Sequence, residues 1–137
     1  MEPPRLKAEE ITATLPEGLL QRVVEHLHPI RVFVFGSRAH GVVHQDSDWD
    51  LLVVVDDNIP PERIGWRAVH EARRGIRGAI DLTPFRESNY RKREHIIGSL
   101  PWIVANEGVL IYERSKATDQ KEGELRRRID LLAPKAQ

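Results

Sequence analysis

Between residues 16 and 27 the apolar positions recur at helical spacing. Leu19, Leu20, Val23, Val24 and Leu27 form one stripe, with charged and polar residues between them. Pro16 suits the first turn of such a helix and Pro29 ends it, so the pattern predicts a helix over about 16–26. The pattern then changes. Val32-Phe33-Val34-Phe35 and Leu51-Leu52-Val53-Val54-Val55 are short continuous apolar runs bounded by turn residues, which predicts buried strands over about 31–35 and 49–55. Ala79-Ile80-Asp81-Leu82 opens a third strand, about 79–84, and Val109-Leu110-Ile111-Tyr112 a last one. Helices are predicted between them: a short one over 37–40, one over 61–74, one over 88–97 with Ser88 or Asn89 as its cap, and one beginning at Leu100 that Gly108 stops. Residues 1–14 read as a flexible arm, 15–113 as the folded domain and 114–137 as a charged tail with a short exposed helix over 122–132.

Composition narrows the class without naming a chemistry. With 137 residues the chain is expected to form one domain with a modest core. The formal net charge of +0 gives no global drive toward nucleic acid or membrane. The absence of cysteine excludes disulfides and thiolate metal sites, and fits a cytoplasmic protein. No apolar run approaches membrane-spanning length, and the first residues lack the apolar core of a signal peptide.

The chemistry lies in the polar residues that interrupt the strands. Gly36-Ser37 closes the first strand; ten residues later Asp48-Trp49-Asp50 opens the second; Asp81 stands in the third. Charges placed on or beside buried strands are costly unless paired or bound to a cation. Alternation along a strand puts Asp48 and Asp50 on one face, with Cα atoms roughly 6.6 Å apart at about 3.3 Å per residue. Their carboxylates can then bridge two cations about 3.5–4 Å apart, the spacing of two-metal phosphoryl-transfer sites. Magnesium, a hard ion that binds carboxylates together with substrate phosphates, suits them. Trp49 must point the other way, into packing. Gly36 lets backbone approach a phosphate, Ser37 begins a helix whose free N–H groups favour an anion, and Arg38 is a candidate phosphate contact. Since the end of the first strand and the start of the second must face one ligand, those strands should be antiparallel if adjacent. The third should run parallel to the second, with the 61–74 helix as crossover. The expected class is α+β: a mixed sheet with helices packed on it.

Taken one at a time, each of these residues is an ordinary turn or strand-end residue. Together they resemble the nucleotidyltransferase superfamily that includes DNA polymerase beta, and most closely its short members, the minimal nucleotidyltransferases. Gly36-Ser37, the ten-residue gap, Asp48-x-Asp50 and the later Asp81 match that pattern. His40 departs from it, standing where an arginine is common. The resemblance covers about Leu15 to Glu113. It implies the nucleotidyltransferase fold and the Mg2+-dependent transfer of a nucleoside monophosphate, AMP by expectation, from ATP or another NTP to a hydroxyl. In that chemistry Asp48 and Asp50 would hold two Mg2+ ions, Asp81 would ligate the second and act as general base, and Gly36, Ser37 and Arg38 would hold phosphates. The resemblance further implies a partner: an all-helical toxin of the HEPN class, which such an antitoxin adenylylates. A charged tail soon after the last strand leaves little room for an acceptor-binding domain and points the same way. Alternatives are a small-molecule nucleotidyltransferase working as a homo-oligomer, and a module that sequesters its partner without catalysis. A glycosyltransferase using a nucleotide sugar would not explain Gly36-Ser37.

The remaining polar residues are weaker candidates. His26, His28, His70 and His95 show no zinc-ligand spacing, while His40 and His44 flank the nucleotide loop. Arg73, Arg74, Arg77, Arg86, Arg91, Lys92 and Arg93 form a basic set that reads as a solvated helix surface or a partner-facing patch. Trp66 and Trp102 are expected in the core.

Overall fold

The computed structural model describes residues 5–40 and 47–115. Strands β1 (Arg31–Phe35), β2 (Trp49–Val55), β3 (Ile80–Arg86) and β4 (Val109–Glu113) form one sheet in the order β3-β2-β1-β4. β1 runs antiparallel to β2 and β4, and β3 runs parallel to β2. This is the mixed topology the site logic requires.

Among the described residues five helices flank the sheet: α1 (Ala8–Thr14), α2 (Leu19–Leu27), α3 (Trp66–Arg73), α4 (Glu87–Arg93) and α5 (Leu100–Glu107). The apolar stripe of α2 is buried at Leu19, Val23 and Leu27, where it meets Val32, Val34, Leu51, Val53 and Val55 of the sheet and Ala72 of α3. The other face is thinner: Leu52 and Val54 pack with Tyr90 of α4 and Val104 of α5, lined by Phe33, Phe35, Phe85 and Leu100. β2 lies between two strands and two helical layers, so its whole apolar run is buried, as parallel and central strands require.

Several expectations need correction. Residues 8–14 are not a flexible arm: they form α1, and Ile11 is fully buried in the main core. The segment before α1 is tied down as well, with Leu6 N–H donating to the Ala39 carbonyl (2.9 Å) and an Arg5 guanidinium N–H to the Gly108 carbonyl (3.2 Å). α2 starts at Leu19 rather than at Pro16, because Gly18 adopts a left-handed conformation (φ +80°) just before it. The helix expected over 61–74 is broken into a 3-10 turn, Pro61–Arg63, and α3, with Gly65 extended between them. α3 therefore begins with Trp66 facing outward, 75% exposed instead of in the core, with the Arg67 guanidinium over its ring. Trp102 is half-buried.

α4 stops at Arg93, short of Ile97, and neither Ser88 nor Asn89 caps it. The cap comes from another loop: Asp57 Oδ1 accepts the Ser88 N–H at 2.9 Å. A single-segment reading has no access to such a donor–acceptor pair 31 residues apart. α5 behaves as expected, with Pro101 in its first turn and Gly108 at its end; Ser99 Oγ accepts the Trp102 N–H at 3.2 Å. His44 and the 122–132 helix lie outside the described residues.

Candidate functional site

Asp50 faces Phe35 across the antiparallel pair and Asp81 across the parallel pair. Registered neighbours share a sheet face, so Asp50 and Asp81 stand side by side on the face that carries α4 and α5. Alternation places Asp48 toward the same side. Gly36, directly after Phe35, completes the group: a Cβ built on it would lie 2.6 Å from Asp50 Oδ2, and its φ is +74°. Glycine at 36 is thus required twice, by the backbone angle and by the carboxylate against it.

The three acids differ in environment. Asp50 is partly buried, while Asp48 and Asp81 are exposed. The Asp50 carboxyl is held above the usual carboxylate range, first by burial, then by the charges of Asp81 and Asp48. Among the described residues no three acidic or imidazole side chains close into a ready cation cage. The donor set nevertheless fits a hard divalent ion. It offers only oxygens, and a cation would offset both the desolvation and the mutual repulsion felt by Asp50.

Ser37 and Arg38 lie in the 3-10 turn Gly36–Ala39 rather than in an α-helix. A turn this short offers an anion its backbone N–H groups, with little macrodipole behind them. Ser37 is exposed beside Gly36. Arg38 is directed elsewhere: its Nε and one terminal nitrogen donate to the Ser47 carbonyl (3.1 and 2.9 Å), and its guanidinium carbon is 4.6 Å from the centre of the Trp49 ring. Trp49 is only 4% exposed and belongs to the α2/α3 core, across the sheet from the acids.

Several members of the basic set are engaged in local contacts. Arg86 donates to the Asp57 and Ile59 carbonyls (2.6 and 2.7 Å), Arg73 to the Ile80 carbonyl (2.9 Å), and Arg93 to Asn89 Oδ1 (2.8 Å); Arg91 pairs with Glu87. Arg73 and Arg86 thus fasten the two ends of β3, a role that spacing did not signal. A third such residue is Arg31, whose ion pair with Glu87 (2.6 Å) joins β1 to α4.

A family model described as polymerase beta nucleotidyltransferase matches residues 18–117. The chain belongs to this nucleotidyltransferase family. Solved structures similar to this nucleotidyltransferase include a toxin–antitoxin with AMP-PNP (17% identity over 86% of this chain and 95% of that one, TM-score 0.49). A mutant of the toxin–antitoxin MntA–HpeT is also similar (16% identity, 93% and 95% covered, TM-score 0.46). Identities this low carry nothing about substrate or partner. No curated protein matches the chain. No described helix of this nucleotidyltransferase is long and apolar enough to cross a membrane.

Proposed function

We propose that this nucleotidyltransferase moves AMP from ATP to a hydroxyl of a partner protein, with two Mg2+ ions held by Asp48, Asp50 and Asp81. The observation that carries the reading is the register Phe35–Asp50–Asp81, which sets the central carboxylate between Gly36 and the edge-strand acid. Bound Mg2+ would neutralise phosphate charge and lower the pKa of the attacking hydroxyl. Gly36 and Ser37 would hold the outer phosphates through backbone N–H groups. Asp81 would accept the proton as the acceptor oxygen bonds to the α-phosphorus and the bond to pyrophosphate breaks. β3 is an edge strand and Asp81 is exposed on it, which supports an acceptor as bulky as a folded protein. The helical HEPN-class toxin, and with it an antitoxin role in the cytoplasm, enters through the resemblance of the motifs to minimal nucleotidyltransferases.

The test is incubation of the protein with ATP, Mg2+ and a co-purified helical partner, read by intact-mass spectrometry. The partner should gain one adenylyl mass with the wild type. With Asp48→Asn or Asp50→Asn transfer should be abolished, because each removes a ligand charge from the cation pair. Full activity in either variant sinks the carboxylate assignment. Labelling of a small hydroxylated metabolite instead of the partner would make the protein a small-molecule nucleotidyltransferase. A tightly bound but unlabelled partner would leave a sequestering module.

A further inference from the structure

We infer that Arg38 is a positioning residue for Asp48 and not a phosphate ligand; the inference deepens the metal-site reading above and rests on it. Asp48 is the acid that the sheet holds least. Strand β2 begins one residue later, where Trp49 N–H donates to the Ala79 carbonyl at 2.9 Å, and the Asp48 side chain is exposed. Arg38 grips the residues on both sides of it. Two guanidinium nitrogens converge on the Ser47 carbonyl, and the guanidinium lies over the Trp49 ring.

The ring is anchored in turn, nearly buried among the α2/α3 core residues. A planar fork that hydrogen-bonds at its edge while its face lies on an aromatic ring is a geometry available to arginine and not to lysine. Arg38 stands in the same turn as Gly36, so the clamp also links the phosphate-binding turn to the loop that delivers Asp48. Since Trp49 points to the sheet face opposite the acids, a guanidinium held on it is turned away from a triphosphate lying over Asp50.

Two readouts separate the roles. The first is amide hydrogen exchange of the protein alone. Arg38→Ala should speed exchange of the Trp49 N–H by roughly tenfold or more while the amides of Leu51 to Val53 keep their protection, as local opening without global unfolding does. Arg38→Lys should fail to restore it, and Trp49→Phe, which keeps a ring under the guanidinium, should largely preserve protection at position 49. Unchanged exchange at Trp49 in Arg38→Ala overturns the inference.

The second is calorimetry with a non-hydrolysable ATP analogue, with and without Mg2+. Arg38→Ala should lower the Mg2+-dependent affinity as Asp48→Asn does, add little to Asp48→Asn in the double variant, and leave the Mg2+-free affinity within about twofold of wild type, the behaviour of two residues acting as one unit. An equal loss with and without Mg2+ makes Arg38 a phosphate ligand and overturns the inference. If Asp48→Asn itself leaves the Mg2+-dependent affinity intact while the exchange result holds, the clamp stands and the metal-site reading fails.

Discussion

On one face of β2, Leu51, Val53 and Val55 meet α2 and α3 in the larger apolar cluster; on the other, Leu52 and Val54 meet α4 and α5 in a smaller one, and Asp50 stands where that cluster ends. Both faces come from alternate residues of one seven-residue strand. The first face, with its deeper packing, holds the sheet together. The second gives up apolar contact at its open end, where Asp50, Asp81 and Gly36 converge. A carboxylate there is half-shielded by the register: a central strand desolvates Asp50, while an edge strand leaves Asp81 exposed.

The contrast can be broken most forcefully at two adjacent core leucines. Leu51→Ala and Leu52→Ala both remove fully buried side chains, and each should cost within about 2–5 kcal/mol. Leu51→Ala belongs at the upper end, because it is packed under α2 and α3 in the larger cluster, where the surroundings collapse least. Leu52→Ala belongs lower, because the thinner cluster can relax. Urea unfolding of both variants decides it, and a larger loss for Leu52→Ala would reverse the ranking of the faces.

Next in size is the pH response, where the second face carries opposed carboxylates. Burial works against ionisation of Glu87, but hydrogen bonds and charge from Arg31 and Arg91 outweigh it and hold its carboxyl below the ordinary 4.5. Its stabilisation is therefore present above pH 4.5 and lost as pH falls through the lower folded value. Glu87→Gln should cost about 1.5–3 kcal/mol at neutral pH, the range for hydrogen bonds to charged groups, and less in acid. Asp50 has the opposite sign. Its carboxyl is raised from 3.8, so its contribution is fully present below pH 3.8 and lost as pH rises through the folded value. In metal-free buffer Asp50→Asn should thus be at least as stable as wild type at neutral pH, with the advantage vanishing in acid. Melting curves across pH check both signs, and a destabilised Asp50→Asn at neutral pH would show that the carboxylate is structural.

Gly36→Ala should come third in stability, at about 1–2 kcal/mol for a left-handed alanine, yet rank with the aspartate variants in lost transfer, since its Cβ would displace the Asp50 carboxylate. Measuring melting temperature and transfer together separates the two effects. Trp66→Ser should matter least, within about 0.5 kcal/mol, as for a surface side chain outside both clusters. A larger loss would place Trp66 in a contact that the fold does not account for.

The register of hydrophobic and polar residues determined the strands, the burial of β2 and the directions of the β1–β2 and β2–β3 pairs, because periodicity and the assumption of one site facing both strand ends leave few arrangements open; the β1–β4 pairing was decided by the fold. The candidate site residues Gly36-Ser37, Asp48, Asp50 and Asp81 stand out in the sequence for a related reason: polar or small residues at the ends of buried runs, and a carboxylate within one, conflict with local packing. Helix limits were legible only approximately. Gly18 and Gly65 each shifted a helix start, since a left-handed or extended glycine overrides an otherwise continuous apolar pattern.

What tertiary structure alone decided involves partners far apart in the chain. Asp57 caps α4, Arg31 meets Glu87, Ile11 joins the main core, and Trp66 turns outward, and none of these leaves a mark at its own position. Arg38 is the sharpest case. Beside Gly36-Ser37 it reads as a phosphate contact, but only the folded chain puts the Trp49 ring beneath it and the Ser47 carbonyl before it. Local sequence specifies which groups a residue carries; the direction in which a long flexible side chain spends its hydrogen bonds depends on which surfaces the fold brings within reach.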